Sequence, residues 1–190
     1  MKLAADYLTV PREGEQENGD AAVVRRWDGR ALLAVIDALG HGAPAAAAVA
    51  VAVAYLDAVT PADGLREIID ALHQRLRGTR GAAAMVLLLQ PGRLSGCGVG
   101  NVELRAYGAR VPAVLSPGVL GASLSRVHVF EAKLSPGERI VMFSDGIAAR
   151  FDGDASKRLP AGETCRVIMD RHRRPHDDAT VLVTDIEVLQ

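Results

Sequence analysis

The sequence predicts a layered α+β fold, with helices outside two antiparallel sheets. Strand-like segments precede and follow a pair of helical segments, without the regular alternation of a parallel doubly wound sheet. The dipeptide Asp28-Gly29 separates two strand-like runs, as in a two-residue hairpin. Of the 190 residues, 49% are hydrophobic and 24% are charged, as in ordinary globular proteins. That length favours one domain, residues 1–190, with a substantial core.

The first third of the chain begins with a strand and a hairpin. Leu3–Val10 contains the strand formers Tyr, Thr and Val and stops at a proline, after which a polar loop runs from Arg12 to Asp20. The hairpin strands are predicted at Ala21–Trp27 and Ala31–Asp37. Asp37 is therefore expected at the end of a central strand.

Two helices are expected next. The first begins at Gly42-Ala43-Pro44, because proline is tolerated in the first turn and the alanines that follow have high helix propensity. Its apolar run, Ala43–Val59, is shorter than the roughly 20 residues that cross a bilayer and is interpreted as a buried helix. The second is predicted from Asp63, its expected cap, to Leu76, with apolar residues three and four positions apart.

The second half of the chain is mostly strand-like. Ala83–Leu89, Leu94–Val99 and Val102–Tyr107 follow one another with short turns, which indicates consecutive antiparallel hairpins. The remaining predictions are a loop at Pro112–Ser123, strands at Val127–Leu134 and Ile140–Phe143, a short helix at Ile147–Phe151, a loop at Gly153–Pro160, a helix at Ala161–His172 and a closing strand at Ala179–Val188.

Charge and cysteine content limit the classes of partner. With 22 Lys and Arg against 23 Asp and Glu, the net charge is -1, and neither nucleic acid nor an anionic membrane is an expected partner. The basic stretch Arg166–Arg174 is interpreted as a solvated helix end, with phosphate or an acidic partner as the alternative. Cys97 and Cys165 fit neither a disulfide framework nor a zinc spacing, which favours a reducing cytoplasm. The N-terminus lacks the apolar stretch of a secretion signal.

Four aspartates are the strongest chemical signal in the chain: Asp20, Asp37, Asp145 and Asp177. Asp20, Asp145 and Asp177 stand beside glycine or another aspartate, Asp37 stands three residues before Gly40, and all four lie close to predicted strand ends. Any single Asp-Gly pair is usually only a turn. Carboxylates gathered together repel, and a hard divalent cation such as Mg²⁺ or Mn²⁺ would relieve the repulsion. If the strand ends meet at one rim, the carboxylates can hold two cations about 3.5–4 Å apart, with a hydroxide between them as nucleophile.

Five ordered motifs resemble the metal-dependent protein phosphatases of the 2C type (PPM family), in particular the short bacterial branch of sporulation and stressosome (RsbX-like) phosphatases. The motifs are Asp37-Ala38-Leu39-Gly40-His41-Gly42, Gly78-Thr79-Arg80-Gly81-Ala82, Gly98-Val99-Gly100-Asn101, Ser144-Asp145-Gly146 and Asp177-Asp178-Ala179-Thr180. With Asp20 they extend over nearly the whole chain. The resemblance implies a four-layer α-β-β-α sandwich and a pair of Mn²⁺ or Mg²⁺ ions at one edge of it.

The resemblance also implies roles for single residues. Asp37 corresponds to the aspartate that bridges the two metals, and Asp145 and Asp177 to ligands of the second metal. Ala38 would give its backbone carbonyl to the first metal. The expected catalytic residues are thus Asp20, Asp37, Asp145 and Asp177, and the expected metal-site residues are Asp37, Ala38, Asp145, Asp177, Asp20 and Asp178. In this set Asp20 would hold metal-bound water, and Asp178 would orient its neighbour.

The sequence departs from the family pattern at three positions. Family members often have glycine in place of Ala38, and larger relatives have aspartate in place of Asn101. His41 is offset by two residues from the general acid of eukaryotic relatives, so that role is not transferred; anion contact and helix capping stay open for it. For His176 an outer-shell or solvent role is favoured over metal binding.

Two other motif interpretations fail on context. Gly96-Cys97-Gly98-Val99-Gly100 imitates a nucleotide-binding glycine pattern, but a strand-like segment follows it instead of the required helix. Ser144 does not stand in the glycine-x-serine-x-glycine pattern of a serine-hydrolase elbow.

The predicted function is therefore metal-dependent hydrolysis of phosphoserine or phosphothreonine on a bacterial signalling protein, by in-line attack of metal-bound hydroxide without a phosphoenzyme. The resemblance implies a monomeric enzyme whose substrate is a phosphorylated small antagonist-type (STAS) domain of a stressosome or anti-sigma-factor system. The alternative is a catalytically weak module that binds metal or phosphoprotein. Phosphodiester cleavage of a nucleotide is a third interpretation, less favoured because no aromatic or basic platform for a base is visible.

Overall fold

The computed structural model describes residues 2–151 and 159–187. Its elements, in chain order, are β1 (Lys2–Val10), β2 (Asp20–Trp27), β3 (Arg30–Ala38), α1 (Ala43–Ala58), α2 (Leu65–Arg75), β4 (Ala82–Gln90), β5 (Arg93–Val99), β6 (Glu103–Tyr107), β7 (Leu115–Ser116), β8 (Gly118–Val119), β9 (Ser123–Leu124), β10 (Phe130–Lys133), β11 (Arg139–Phe143), α3 (Ala161–His172) and β12 (Ala179–Glu187). None of the helices described within these ranges is long and apolar enough to cross a membrane.

The strands form two large sheets. The four-stranded sheet has the order β1-β12-β11-β6, and all of its pairs are antiparallel. The six-stranded sheet has the order β10-β5-β4-β3-β2, also antiparallel, with β7 added parallel to β5. Strands β8 and β9 form a separate small ribbon. The predicted hairpin at Asp28-Gly29 is confirmed, with Trp27 paired to Arg30.

Three hydrophobic cores separate four layers. Helices α1 and α2 cover the outer face of the six-stranded sheet, α3 covers the outer face of the four-stranded sheet, and the third core lies between the sheets. Strand β3 is apolar on both sides because it serves two cores. Leu32 and Ile36 pack under the helices, whereas Leu33 and Val35 face the other sheet. The predicted four-layer α-β-β-α sandwich is confirmed.

The predicted hairpin between the strands at Leu94–Val99 and Val102–Tyr107 is wrong. Strand β6 pairs with β11 in the four-stranded sheet, and the place beside β5 is taken by β7 and β10. The chain changes sheets at Gly100, whose φ of 84° favours glycine. Val102 is then buried between the sheets. The short connection imitates a hairpin in sequence although it joins two layers.

The predicted short helix at Ile147–Phe151 is also wrong. Ile147 forms an isolated bridge with Arg173, and the backbone N–H of Ala148 donates to the carbonyl of His172 at 2.7 Å. The backbone at Ile147 and Ala148 therefore bonds to the end of α3, and the bond within the segment, from Phe151 N–H to Ala149 O at 3.2 Å, is not a helical one. Arg105 adds donors to the carbonyls of Ala149 and Phe151. The loop predicted at Gly153–Pro160 lies mostly outside the described residues.

Two predictions about the helices need correction. Asp63 is not the cap of α2: Gly64 occupies that position, and the Asp63 carboxylate accepts hydrogen bonds from the N–H and hydroxyl of Thr60. The Asp63 side chain thus stabilises the turn at Thr60-Pro61 instead of capping α2. Helix α1 is not buried all round either, since it packs on the sheet with one face and exposes another.

Candidate functional site

The acidic residues meet where strand ends of both sheets form one rim. Asp20 and Asp37 are direct partners across the β2–β3 hairpin, so the start of β2 and the end of β3 lie together. Asp145 follows β11, Asp177 precedes β12, and these strands are antiparallel neighbours. The structure places Asp37, Ala38, Asp145 and Asp177 in one open cleft of about 360 Å³. Asp20 lies behind its wall.

Among the carboxyl groups that line the cleft, Asp37 has the most strongly raised pKa. The pKa of its carboxyl group is raised to about 8, chiefly by burial and in addition by the charges of Asp20, Asp145 and Asp177 and a hydrogen bond to the Asp145 side chain. Burial and the charge of Asp145 also raise the pKa of Asp177. Without a cation, the negative charges at this rim thus oppose one another.

Asp20 is held by a buried network. It is 4% exposed, and burial raises its pKa to about 7, although a hydrogen bond from the Ser144 hydroxyl acts in the opposite direction. The Ser144 oxygen in turn accepts the backbone N–H of Thr180 at 2.9 Å. Ser144 directly follows β11 and Thr180 lies on β12, whereas Asp20 begins β2 of the other sheet, so the network ties the two sheets together at the rim.

Asp178 does not face the cleft. Its carboxylate is 3% exposed, and its two oxygens accept the backbone N–H groups of Arg12 and Gly19 at 2.9 and 3.0 Å. The side chain therefore joins the loop after β1 to the start of β12. The expected orientation of Asp177 comes from the Asp178 backbone instead, whose N–H donates to Asp177 Oδ1 at 3.0 Å.

The segment after β3 forms another wall of the cleft. The backbone N–H of Ala38 donates to Gly19 O at 2.8 Å, which fixes the position predicted to offer a carbonyl to a metal. His41 also lines the cleft, and its Nδ1 lies 3.0 Å from Glu15 Oε1. It does not cap α1, which begins after Gly42 without a side-chain cap. His176 lines the opposite side.

Two residues of the cleft were missed as functional candidates. Arg12 lines it and stands two residues after Val10, which pairs with Ala179 at the start of β12. Its Nε is buried and has no hydrogen-bond partner among the residues described. Asn101, noted only as a departure, donates from Nδ2 to Asp145 Oδ2 at 2.8 Å. No local sequence pattern marks Arg12, because its place at the cleft depends on the pairing of β1 with β12.

The donor set fits hard divalent cations by its chemistry. All the carboxylates at the rim offer oxygen, and their mutual repulsion is what a cation would remove. Within residues 2–151 and 159–187, no three His, Cys, Asp or Glu side chains are gathered closely enough to form a preformed metal cluster. The carboxylates are thus near enough to perturb one another's pKa, and a cation would have to draw them closer.

Comparison with known proteins identifies the family. Residues 27–187 match the family model described as stage II sporulation protein E (SpoIIE). No curated protein sequence matches the chain. A solved structure described as "The bacterial stressosome: a modular system that has been adapted to control secondary messenger signaling" is 33% identical, with a TM-score of 0.90, and covers 97% of this chain and 100% of that chain.

Two further solved structures share the fold at lower identity. RsbX in complex with magnesium is 20% identical, with a TM-score of 0.85 and coverage of 97% of this chain and 96% of that one. The serine/threonine phosphatase PstP/Ppp of Mycobacterium tuberculosis is 16% identical, with a TM-score of 0.76 and coverage of 99% and 100%. The family match extends over well more than half of the chain, and it confirms the resemblance found in the motifs. The chain therefore belongs to the stage II sporulation protein E family of PP2C-like (PPM) phosphatases.

Proposed function

We propose that this protein is a metal-dependent phosphatase that hydrolyses phosphoserine or phosphothreonine of a signalling protein, by direct attack of water and without a phosphoenzyme. The observation that carries the proposal is the cleft itself. It combines the carboxylates of Asp37, Asp145 and Asp177 with the guanidinium of Arg12, at the rim of a family fold shared with known phosphatases. Anionic groups for cations and a cation for phosphate are the two requirements of this chemistry.

Each carboxylate of the cleft has a role in this proposal. Asp37 would hold both cations, Asp145 and Asp177 would complete the second site, and the Ala38 carbonyl would face the first. When bound, Mn²⁺ or Mg²⁺ supplies the positive charge that activates water and stabilises the transition state. Magnesium in the related RsbX structure supports this choice of cation.

Arg12 would bind the phosphate group of the substrate, and Asp20 would hold the attacking water. The Arg12 guanidinium can bind phosphate oxygens in the fork geometry that arginine favours, and Asp178 fixes its backbone for that purpose. Asp20, which the Ser144 hydroxyl holds in place, would accept a hydrogen bond from the water at the cleft. Asp178 is not among the direct ligands in this proposal, because both of its oxygens are already engaged.

The substrate class rests on the relatives. One similar chain belongs to a structure whose description names the bacterial stressosome, and another belongs to a structure of RsbU and RsbW domains from Mycobacterium tuberculosis. These names support a phosphoprotein of a signalling complex, and we infer a small antagonist-type (STAS) domain as the substrate. The free, buried thiols of Cys97 and Cys165 fit a reducing cytoplasm as the location.

The test is release of phosphate from a phosphoserine peptide, measured against the concentration of added Mn²⁺ or Mg²⁺. We expect turnover with metal and none with a chelator. Arg12→Ala should raise KM about tenfold or more with a smaller loss of kcat, since a charge-assisted contact contributes roughly 1.5–3 kcal/mol. Arg110→Ala, on an exposed loop arginine, is the matched control and should leave KM unchanged.

One observation favours the second candidate, a catalytically weak module that binds metal or phosphoprotein. Asn101 donates to Asp145 where larger relatives have an additional carboxylate, so this cleft holds less negative charge. Calorimetry with Mn²⁺ beside the turnover assay separates the two functions. Binding of Mn²⁺ without phosphate release from peptide or from p-nitrophenyl phosphate would overturn the phosphatase proposal in favour of the module.

A further inference from the structure

Helix α1 exposes a second apolar face. Its inner face packs on the six-stranded sheet through Ala45, Ala48, Val49, Ala52 and Leu56, all buried. Its outer face repeats the same spacing of three and four residues with exposed positions. These outer residues are Ala43, Pro44, Ala47, Ala50, Val51 and Ala54. We call them the α1 outer face.

The composition of this face is unusual for a surface helix. A surface helix normally places charged residues opposite its buried stripe. From Ala43 to Leu56 α1 has no charged residue, and the first is Asp57 at its end. Val51 is 37% exposed, and nearby Leu39 is 43% exposed. None of the described elements covers the α1 outer face, and contiguous apolar surface of this kind marks interaction sites.

The α1 outer face borders a groove that lies next to the candidate active cleft. Leu39 and Gly40 line the cleft, and Pro44 and Ala47 line a neighbouring groove of about 520 Å³. Arg80 stands between the two: it lines the groove, and a Cβ built on Gly40 would lie 3.0 Å from its Nη1. A molecule with its phosphate in the cleft would therefore lie beside this groove.

Arg80 gives the groove a charge preference. Its side chain is exposed and makes no hydrogen bond or ion pair within the described parts of the chain. The other groove residues, Pro44, Ala47, Ala48, Gly78 and Thr79, are uncharged. The groove thus offers apolar contact and one unpaired positive charge, which are complementary to an apolar side chain next to a carboxylate.

We propose that the groove and the α1 outer face form the docking surface for the phosphoprotein substrate, which would present an apolar and an acidic residue beside its phosphoserine. This inference rests on the proposed phosphatase function and adds the substrate's flanking chemistry to it. The phosphate group is common to all phosphoproteins, so contacts in the cleft cannot distinguish one substrate from another. Contacts outside the cleft would provide that specificity.

The experiment compares two synthetic phosphoserine peptides that differ only in their flank, one with leucine and glutamate and the other with serine and lysine. We expect kcat/KM to be about tenfold higher for the leucine and glutamate peptide, since a buried leucine and an exposed ion pair add roughly that much. Arg80→Glu should reverse the charge part of the preference. The measured quantity is the ratio of kcat/KM for the two peptides, because both carry the same phosphate.

Ala47→Glu tests the apolar part. Glutamate is a good helix former, so the substitution should preserve α1 while it reduces the preference about threefold or more. Ala58→Glu, an exposed alanine of the same helix about 16 Å further along its axis, is the matched control. Equal kcat/KM for both peptides, or equal effects of the two alanine variants, would overturn the docking proposal while p-nitrophenyl phosphate turnover still supports the phosphatase.

Two further results complete the design. If wild-type protein hydrolyses neither p-nitrophenyl phosphate nor the peptides, the phosphatase proposal fails. Fluorescence anisotropy of the labelled, unphosphorylated peptides then decides on docking, because it needs no turnover. Sedimentation of wild type and Ala47→Glu tests whether a second copy of this chain covers the α1 outer face instead. A dimer that becomes a monomer on substitution would show that it does and would overturn the proposal.

Discussion

The two sheets contribute differently to the cleft. The six-stranded sheet contributes Asp20 and Asp37 from within a paired hairpin, where the ladder fixes both residues and burial raises both pKa values, to about 7 and about 8. The four-stranded sheet contributes Asp145, which is exposed, and Asp177, which is half-buried like Asp37, from turns just outside its strands. One half of the site is held by strand pairing and includes the fully buried Asp20, and the other lies on turns and includes the exposed Asp145.

The difference assigns separate physical tasks to the two halves. A buried carboxylate on a rigid strand destabilises the metal-free protein whenever it is ionised, so its interaction with a cation is strongly coupled to folding. A carboxylate on an exposed turn costs little without metal and can move toward a cation as it binds. We expect substitutions on the hairpin side to change stability and activity together, and substitutions on the turn side to change mainly metal affinity.

The largest expected effect is that of Asp37→Asn. It removes the proposed shared ligand, so metal-dependent turnover should fall by more than the roughly 10- to 100-fold that loss of an outer-shell partner costs. The same variant should raise the melting temperature of the metal-free protein at pH 8, because an ionised, buried carboxylate is replaced by a neutral amide.

Asp57→Asn is the control for that variant, because Asp57 is exposed on α1 and forms only a long, exposed ion pair with Arg25, at 4.0 Å. It should change neither turnover nor stability. Near wild-type turnover of Asp37→Asn at saturating Mn²⁺ would show that the hairpin carboxylate is not a ligand, and the contrast between the two halves would then lose its basis.

The second prediction concerns pH. The pKa of Asp37 is about 8 in the folded protein and near 3.8 in the unfolded chain, so the folded state binds more protons between these values. The contribution of Asp37 to the free energy of unfolding of the metal-free protein should therefore be fully present below about pH 4. It should be lost as the pH rises toward 8. The expected loss of melting temperature is on the order of 10 °C.

Saturating Mn²⁺ should reverse this trend, because the cation replaces the protons and binds the ionised carboxylates more strongly as pH rises. Thermal unfolding at pH 6 and pH 8, with chelator or with Mn²⁺, measures both effects. Asp37→Asn removes its own contribution, and the smaller slope that remains should come from Asp20, whose pKa is raised to about 7. A metal-free protein that becomes more stable from pH 6 to pH 8 would contradict the prediction.

The sequence was informative where local pattern determines structure. The hairpin around Asp28-Gly29 and the bounds of α3 followed from turn chemistry and periodicity, and the layer order followed from the motifs. It was misleading where a short connection carries the chain between layers, as at Gly100, because a hairpin and a crossover have similar turn residues. At Ile147–Phe151, tertiary hydrogen bonds to α3 prevailed over local helix propensity.

For the cleft, the aspartates stood out in sequence because each has a recognisable neighbour. The sequence could not establish that Asp37, Asp145 and Asp177 converge, because their convergence depends on how the two sheets stack. The partners of these carboxylates were harder to find. Arg12 and the Ser144 hydroxyl reach the site through contacts between residues more than a hundred positions apart, and no local pattern encodes such contacts.

The third prediction probes the network that joins the two halves. Ser144→Ala removes the hydroxyl that donates to Asp20 and accepts from the Thr180 N–H, and leaves both groups buried without that partner. The expected cost is about 1–3 kcal/mol of the free energy of unfolding, measured by chemical denaturation. Mn²⁺ affinity should fall as well, because Asp20 loses its orientation. Ser125→Ala, on an exposed loop, should change neither quantity.

The smallest expected effect is on the turn side, at Asn101. Asn101→Asp exchanges the hydrogen bond to Asp145 for a repulsion between two exposed carboxylates, which should cost the metal-free protein about 0.2–1 kcal/mol. The added charge should at the same time raise Mn²⁺ affinity severalfold, measured by calorimetry. Asn101→Ala removes the donor without adding charge and should lower that affinity slightly. If both variants destabilise the metal-free protein as strongly as Ser144→Ala, the turn half is as rigid as the hairpin half, and the two sheets do not divide the work as their burial indicates.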